Sequence, residues 1–324
     1  MKKILVTYPL PAVIEEEYDK EYSGRVEFTW TDRQLTLEEI KTASKAYQGI
    51  FIIRNKADRE LIENAPDLEA IATFGVGYNN IDVETANERN IAVINTPVHV
   101  AETTAELAVS LMMSTMRGIV RYDRQIRDGI WKAPLFSDTD SRLHGKTLGI
   151  VGMGNIGRRV AAKARGLGMN VIYHNRHKIN DTDEIALDVT YVTFEELLEK
   201  SDVISVHMPY TKENHHRFGM KEFQMMKKSA YFINTSRGAV VNEAELVEAL
   251  ENNVIKGAGL DVFENEPKVS EGLLKLDNVV LTSHCGSATL DTRMGMAKEA
   301  LDGLCSYLLG GQPFNLVNAG HLHK

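Results

Sequence analysis

Three short segments in the last third of the chain collect the residue types that proton transfer and anion binding require. They are Ile233-Asn-Thr-Ser-Arg237-Gly238, Gly259-Leu-Asp261-Val-Phe-Glu-Asn-Glu266-Pro267 and Leu281-Thr-Ser-His284-Cys-Gly286-Ser. Histidine titrates nearest neutrality of all side chains, so His284 is the candidate proton donor. A neighbouring carboxylate favours the charged imidazole, and either Glu264 or Glu266 could be that partner. A fixed guanidinium, Arg237, can stabilise an oxygen on which negative charge develops.

A second constellation lies upstream. Leu148-Gly-Ile-Val-Gly152-Met-Gly154-Asn155-Ile156-Gly157 is a G-x-G-x-x-G pattern directly after a strand-like run, and Arg158–Leu167 reads as the helix that follows. In that setting Gly152 allows a tight turn, Gly154 lets backbone approach a pyrophosphate, and Gly157 lets helix and strand pack closely. Phosphates then sit on unpaired N–H groups at the helix start, which makes Gly152, Gly154, Asn155, Ile156 and Gly157 cofactor-binding candidates. An NAD site usually carries an acid about 20 residues further on, bonded to the ribose 2′-hydroxyl. Here Asn175 stands 18 residues past Gly157, followed by Arg176, His177 and Lys178. A carboxylate would repel a 2′-phosphate, whereas Arg176 and Lys178 attract one, so NADP(H) is expected over a possible NAD(H). The plain alternative is a solvated basic turn that lacks an acid.

These residues need a scaffold, and the apolar pattern supplies one. Ile4–Val6, Ile50–Ile53, Ile71–Phe74 and Ile91–Ile94 read as buried strands, with helical spacing in Leu37–Ala46 and Arg59–Ala65. A second series runs Thr147–Val151, Val171–His174, Val203–Val206, Tyr231–Asn234, Ala258–Val262 and Val279–Thr282. Apolar strands alternating with helices imply α/β architecture with parallel sheets covered on both faces. Ligands of such sheets bind at the C-terminal strand ends, where all the candidates fall. Glu102–Arg121 reads as a buried helix, apolar on most sides, linking the halves. Glu243–Glu251 is amphipathic, and a helix over Ser287–Leu309 stops at Gly310–Gly311.

Composition narrows the class. A chain of 324 residues suggests about two domains. A net charge of −8 argues against a broad nucleic-acid surface. Two cysteines, Cys285 and Cys305, cannot build a disulfide framework and suit a reducing compartment. No apolar run approaches the ~20 residues of a membrane span, and the start reads as a strand, not a signal peptide. A cytoplasmic protein with no membrane or nucleic-acid partner is expected. His174, His177, His207, His215 and His216 show no metal-ligand spacing, so no metal is expected.

The ordered set of glycine loop, N-T-S-R-G, D-V-F-E-N-E-P and H-C-G-S-A-T resembles the D-isomer-specific 2-hydroxyacid dehydrogenase family along essentially the whole chain, most closely its glyoxylate/hydroxypyruvate reductases. The resemblance implies two doubly wound parallel-sheet domains: a Rossmann cofactor domain, 99–288, inserted in a flavodoxin-like substrate domain, 1–98 plus 289–324. It implies that Arg237 binds the substrate's carboxylate and carbonyl oxygen, that His284 is the acid/base and that Glu266 is its partner. It implies that Asp261 holds the nicotinamide carboxamide and that Thr104, Thr235 and Gly286 contact the cofactor. It further implies that backbone N–H groups of the loop Thr73–Asp82, at Val76 and Gly77, receive the substrate carboxylate. Dimerisation through the linking helix and the apolar segment after it is expected by the same resemblance. The expected activity is hydride transfer from NADPH to a small 2-keto acid such as glyoxylate or hydroxypyruvate, with the D-2-hydroxy acid as product.

Rivals within the resemblance are NAD-dependent phosphoglycerate or bulkier 2-hydroxyacid dehydrogenases, and non-catalytic corepressors of the same fold. Formate dehydrogenases carry glutamine where Glu266 stands, and no appended regulatory domain is expected. Cys285 replaces a branched aliphatic residue and reads as packing. Asn79 replaces a frequent Asp, and Lys132–Asp138 lacks a tryptophan that some reductases place near the substrate.

Overall fold

The structure, a computed structural model, describes residues 1–136 and 140–322. Ser137 and Asp138 of the Lys132–Asp138 segment and residues 323–324 of the expected substrate domain lie outside the described residues.

The apolar runs form two all-parallel sheets. The first contains β1 (Lys2–Val6), β2 (Val26–Thr29), β3 (Gly49–Ile52), β4 (Ala70–Thr73) and β5 (Ala92–Ile94), in the order β2-β1-β3-β4-β5. That is the flavodoxin-like order 2-1-3-4-5. The second contains β6 (Thr147–Val151), β7 (Asn170–His174), β8 (Val189–Tyr191), β9 (Val203–Val206), β10 (Tyr231–Asn234), β11 (Gly257–Leu260) and β12 (Val279–Leu281), ordered β12-β11-β10-β9-β6-β7-β8. Its centre has the doubly wound Rossmann order, reversing direction between β6 and β9. The chain divides into two compact units, Met1–Val100 with Ser287–Lys324 and Ala101–Gly286. The second is thus an insertion in the first.

The central strands are buried along their whole length because both faces are covered: β3, β4, β9, β10 and β11 expose nothing. In the inserted unit, alternation assigns successive residues to opposite cores. Ile150, Val203, Tyr231 and Ile233 pack with Ala105, Leu111 and Val160 on one side. Val151, Ile204, Val206 and Phe232 pack with Phe194, Phe223 and Leu246 on the other. The amphipathic pattern over Glu243–Glu251 is a helix with those bounds, capped by the Asn242 side chain. The last long helix is Leu290–Leu308, started by Thr289.

Several elements differ from the sequence reading. Strands β2 and β8 were not expected; each is a sheet edge with one buried residue, so neither carries an apolar run. A helix over Ala12–Glu21 also escapes the pattern, since it buries only Ile14 and Tyr18. The single linking helix is in fact two, His99–Met116 and Ile119–Arg127, broken at Gly118 in a left-handed conformation with φ 59°. Nor is the first apolar on most sides: Ala101, Ala105, Ala108, Leu111, Met112 and Met116 form one buried stripe, while Glu102, Glu106 and Ser110 face solvent. The second helix buries no residue, and Ile126, Trp131, Leu135 and Phe136 in and beyond it are exposed. Among the described residues no helix is long and apolar enough to cross a membrane.

Candidate active site

The glycine loop sits at the C-terminal end of β6. Gly152 has φ 105°, and a Cβ there would come within 2.7 Å of the His207 backbone. A Cβ on Gly157 would lie 2.1 Å from the Gly152 carbonyl oxygen, so the helix Asn155–Gly166 can approach the strand only without a side chain. Around Gly154, by contrast, nothing lies within 4 Å of a Cβ position. That residue starts the helix with no side-chain cap, leaving the first N–H groups, with exposed Asn155 and half-buried Ile156, available to an anion.

Beside the loop lies a cavity of about 640 Å³ lined by Gly152, Met153, Gly154, Asn175, Arg176, His177, Phe194, His207, Pro209, Glu213 and Arg217, among others. Asn175, standing where a carboxylate is usual, accepts the Met153 N–H at 2.7 Å and so holds the loop itself. The Lys178 ammonium is engaged by Asp181 and Glu184, both at 2.8 Å, and does not line the cavity. Arg217 does, with its guanidinium carbon 3.6 Å from the Phe194 ring centre. It escaped the sequence reading because its only signal is one more basic residue in a polar stretch. His207, which lines the cavity, and Thr235, just past β10, are among the residues with a buried polar atom, Nδ1 and Oγ1, that has no hydrogen-bond partner among the described residues. Burial pushes the His207 imidazole down to about 3, so it is neutral. A roomy cavity with free helix N–H groups, no carboxylate at position 175 and orphaned polar atoms fits a dinucleotide.

The acid–base group is built from three strand ends. After β10, Asn234 accepts the Ser236 N–H and hydroxyl at 3.0 and 2.8 Å and donates to the Arg237 carbonyl at 3.1 Å, folding the turn that presents Arg237. Burial draws the Arg237 guanidinium below its ordinary value, opposed by the Glu266 carboxylate. After β11, Glu266 Oε1 accepts the Phe263 N–H at 3.0 Å, while Oε2 lies 2.8 Å from His284 Nδ1. Burial pushes the Glu266 carboxyl up, but the His284 and Phe263 hydrogen bonds and the charges of His284 and Arg237 outweigh it and leave it below its usual value. With Nδ1–H donated to Glu266, the His284 Nε2 is free to exchange a proton with a ligand.

Asp261 fixes where His284 stands. Its carbonyl accepts the His284 N–H at 2.8 Å, and its buried carboxylate accepts the Cys285 and Gly286 N–H groups at 2.8 and 2.9 Å and the Thr282 hydroxyl at 2.6 Å. Gly286 in turn accepts the buried Thr104 hydroxyl at 3.3 Å. Burial, with Asp261 close by, raises the Cys285 thiol and keeps it protonated.

Glu264, the other carboxylate considered for His284, is occupied elsewhere. It accepts His216 Nε2–H at 2.6 Å and the Glu243 N–H at 3.3 Å, tying the loop that carries Glu266 to a neighbouring turn. His215, His216 and Glu264 bring donor atoms within 4.8 Å of one another, a grouping hidden in sequence because Glu264 is distant along the chain.

In the other unit, the loop after β4 is held by Asn95, which donates to the Val76 carbonyl at 2.8 Å, and by Thr96, whose N–H reaches the Gly75 carbonyl at 2.9 Å. The Val76 and Gly77 N–H groups have no partner among the described residues. A cavity of about 130 Å³ in the same unit is lined by Tyr8, Arg54, Phe74 and Arg293 together with apolar residues. Arg54 and Arg293 were missed in sequence, standing outside any motif; Arg54 has φ 64°.

Known proteins resemble this chain along nearly its whole length. Residues 109–286 match the sequence profile of the D-isomer specific 2-hydroxyacid dehydrogenase, NAD binding domain. A glyoxylate reductase of Thermococcus litoralis is 43% identical over 98% of this chain and 96% of its own. Among solved structures, a glyoxylate reductase from Paecilomyes thermophila superimposes with a TM-score of 0.88 at 35% identity, covering 98% of this chain and 99% of that one. An NADPH-dependent glyoxylate/hydroxypyruvate reductase from Sinorhizobium meliloti, in complex with NADP and malonate, gives 0.85 at 31% identity, covering 100% and 98%. The loop geometry makes one expectation direct. Gly157→Ala should weaken binding of a nicotinamide dinucleotide by about tenfold or more, measured by calorimetric titration; unaltered affinity would show that the loop does not cradle the phosphates.

Proposed function

Because the chain belongs to the D-isomer specific 2-hydroxyacid dehydrogenase family, we propose that it reduces a small 2-keto acid of the glyoxylate or hydroxypyruvate type with NADPH. The observation that carries this reading is the 2.8 Å His284–Glu266 pair beside a half-buried arginine. It is supported by the relatives, which are glyoxylate reductases and glyoxylate/hydroxypyruvate reductases.

When bound, the reduced nicotinamide supplies a hydride to the substrate's carbonyl carbon. Arg237 holds the substrate through its carboxylate and carbonyl oxygen. Because the guanidinium is fixed and partly desolvated, it stabilises the charge developing on that oxygen more than it stabilises the ground state. His284 delivers a proton from Nε2 to the same oxygen, while Glu266 orients the ring through Nδ1. The residues 1–98 and 289–324 act as substrate domain, with the free N–H groups of Val76 and Gly77 receiving the substrate carboxylate. Residues 99–288 act as cofactor domain. There Gly152, Gly154, Asn155, Ile156 and Gly157 carry the pyrophosphate, and Thr104, Thr235, Asp261 and Gly286 border the nicotinamide end. Of the segment Asn175, Arg176 and Lys178, the 2′-phosphate falls to Arg176, since Asn175 holds the glycine loop and Lys178 is engaged by Asp181 and Glu184; the missing carboxylate separates this chain from the usual NAD pattern.

The exposed Ile126, Trp131, Leu135 and Phe136 support a homodimer through the arm formed by residues 119–136. Two free thiols, Cys285 and Cys305, support a cytoplasmic setting.

A panel of 2-keto acids assayed with both cofactors tests the whole reading. Glyoxylate or hydroxypyruvate with NADPH should give the highest kcat/KM. A higher value with NADH overturns the cofactor assignment, and no turnover with any keto acid overturns the enzyme assignment. His284→Gln should lower kcat by about 10²–10⁴-fold with dinucleotide affinity nearly retained. Because the Glu266 carboxyl is held below its usual value, the activity lost on protonating it is lost only at more acid pH than for an ordinary glutamate. Glu266→Gln should cut reductive kcat/KM about 10–100-fold at neutral pH with dinucleotide affinity nearly retained. An unchanged kcat/KM counts against the pairing. Light scattering should return a mass near twice 36.2 kDa; a monomer at working concentration counts against the arm.

A further inference from the structure

The cavity beside the glycine loop holds two guanidinium groups, and the sequence pattern pointed to only one of them. Arg176, at the end of β7, lines it without a carboxylate at ion-pair distance among the described residues. Glu213 lines the same cavity and lies within electrostatic reach of Arg176. Those two charges alone leave the cavity with no net attraction for a dianion. Lys178 does not redress the balance, because its ammonium already bridges Asp181 and Glu184. Recruiting it would strand two carboxylates.

Arg217 is placed differently. No carboxylate pairs with it among the described residues, and its charged plane rests on the buried Phe194 ring at 3.6 Å. Stacking of that kind occupies the guanidinium face and leaves its N–H edge for an acceptor. The supporting turn is anchored: the Arg217 N–H donates to the Asn214 carbonyl at 3.2 Å, and Asn214 Nδ2 donates to the Pro209 carbonyl at 2.6 Å. The neighbouring His216 and Phe218 N–H groups reach the Ala239 and Val240 carbonyls, both at 3.0 Å. A preorganised, unpaired guanidinium facing the same cavity as Arg176 is what a phosphate dianion requires.

We propose that Arg217, stacked on Phe194, is the second cation of a 2′-phosphate subsite and sets the preference for NADPH over NADH. This rests on the NADPH reading above and assigns its selectivity to Arg176 with Arg217 in preference to Lys178.

The test uses the whole protein and two fragments, adenosine 2′,5′-bisphosphate and 5′-AMP, titrated calorimetrically. Wild type should bind the bisphosphate more tightly. Arg217→Leu should weaken the bisphosphate about 10–100-fold, the range of a lost charge-assisted hydrogen bond, while 5′-AMP changes by less than about threefold. Arg217→Lys keeps the charge without the stacked fork and should lose several-fold, which serves as the readout if the leucine variant does not fold. Equal weakening of both fragments would make Arg217 a general wall of the adenosine site and overturn the proposal. So would a loss confined to Lys178→Ala. A wild type that binds both fragments equally fails the NADPH reading itself, and this inference falls with it.

Discussion

The candidate site depends on one buried carboxylate. Asp261 directly follows β11 and accepts three hydrogen bonds on its side chain and one on its carbonyl, all from residues 282–286. A buried charge is tolerable only when its lone pairs are satisfied, and here the donors that satisfy it are two backbone N–H groups and the Thr282 hydroxyl of the next strand's exit loop. The loop cannot relax without uncovering that charge. His284 is thereby held at φ 52°, a region that non-glycine residues rarely occupy. The same constraint aims its Nδ1 at Glu266, whose other oxygen is fixed by the Phe263 N–H two residues beyond Asp261. One segment, 261–266, therefore supplies both the anchor for the histidine's backbone and the partner for its ring. In the proposed reaction, a proton donor so placed would need no rearrangement, which is where preorganised polar groups exceed mobile ones.

The two carboxylates Glu264 and Glu266 show how neighbours acquire separate work. Both sit in D-V-F-E-N-E-P, each has a histidine within reach, and nothing in their spacing distinguishes them. In the fold, Glu264 faces His216 and the start of the helix Glu243–Glu251, while Glu266 faces His284. The first bond ties the loop to its surroundings, and the second uses the loop's resulting position. Removing the tether would act on the acid–base pair only through the backbone between them.

Much of this could be read from the sequence where a residue's role is local. The glycine loop needs its glycines because of contacts two to five residues away, or against the facing strand end, and the pattern alone identifies it. Central strands announce themselves through uninterrupted apolar runs because both faces are covered. What could not be read shares a physical cause: it depends on partners distant in sequence or on a face left open. β2 and β8, at sheet edges, carry too few buried residues to stand out. The break at Gly118 is one glycine in a helix-like stretch, and its left-handed backbone has no sequence signature of its own. The engagement of Lys178 by Asp181 and Glu184, and the placement of Arg217 on Phe194, require the β7 exit, the following helix and the β9 exit to be assembled first. Charge type was legible; charge availability was not.

That distinction also reconciles an acidic chain with anionic ligands. A net charge of −8 repels anions only through a field that salt screens over about 8–10 Å. Many of the surface bases are spent on neighbouring acids, as Lys178 is, and Arg158 on Asp183 at 2.7 Å. Within a cavity walled by low-dielectric side chains, the sign is set by the few groups left unpaired. Arg176 and Arg217 in one cavity, and Arg237 beside the acid–base pair, are such groups. Their effect on a phosphate or carboxylate at hydrogen-bond distance exceeds that of distant, screened surface charges, because a direct charge-assisted bond contributes about 1.5–3 kcal/mol while a screened exposed pair contributes little. Specificity for an anion thus follows from which cations the fold leaves without partners, not from how many the sequence contains.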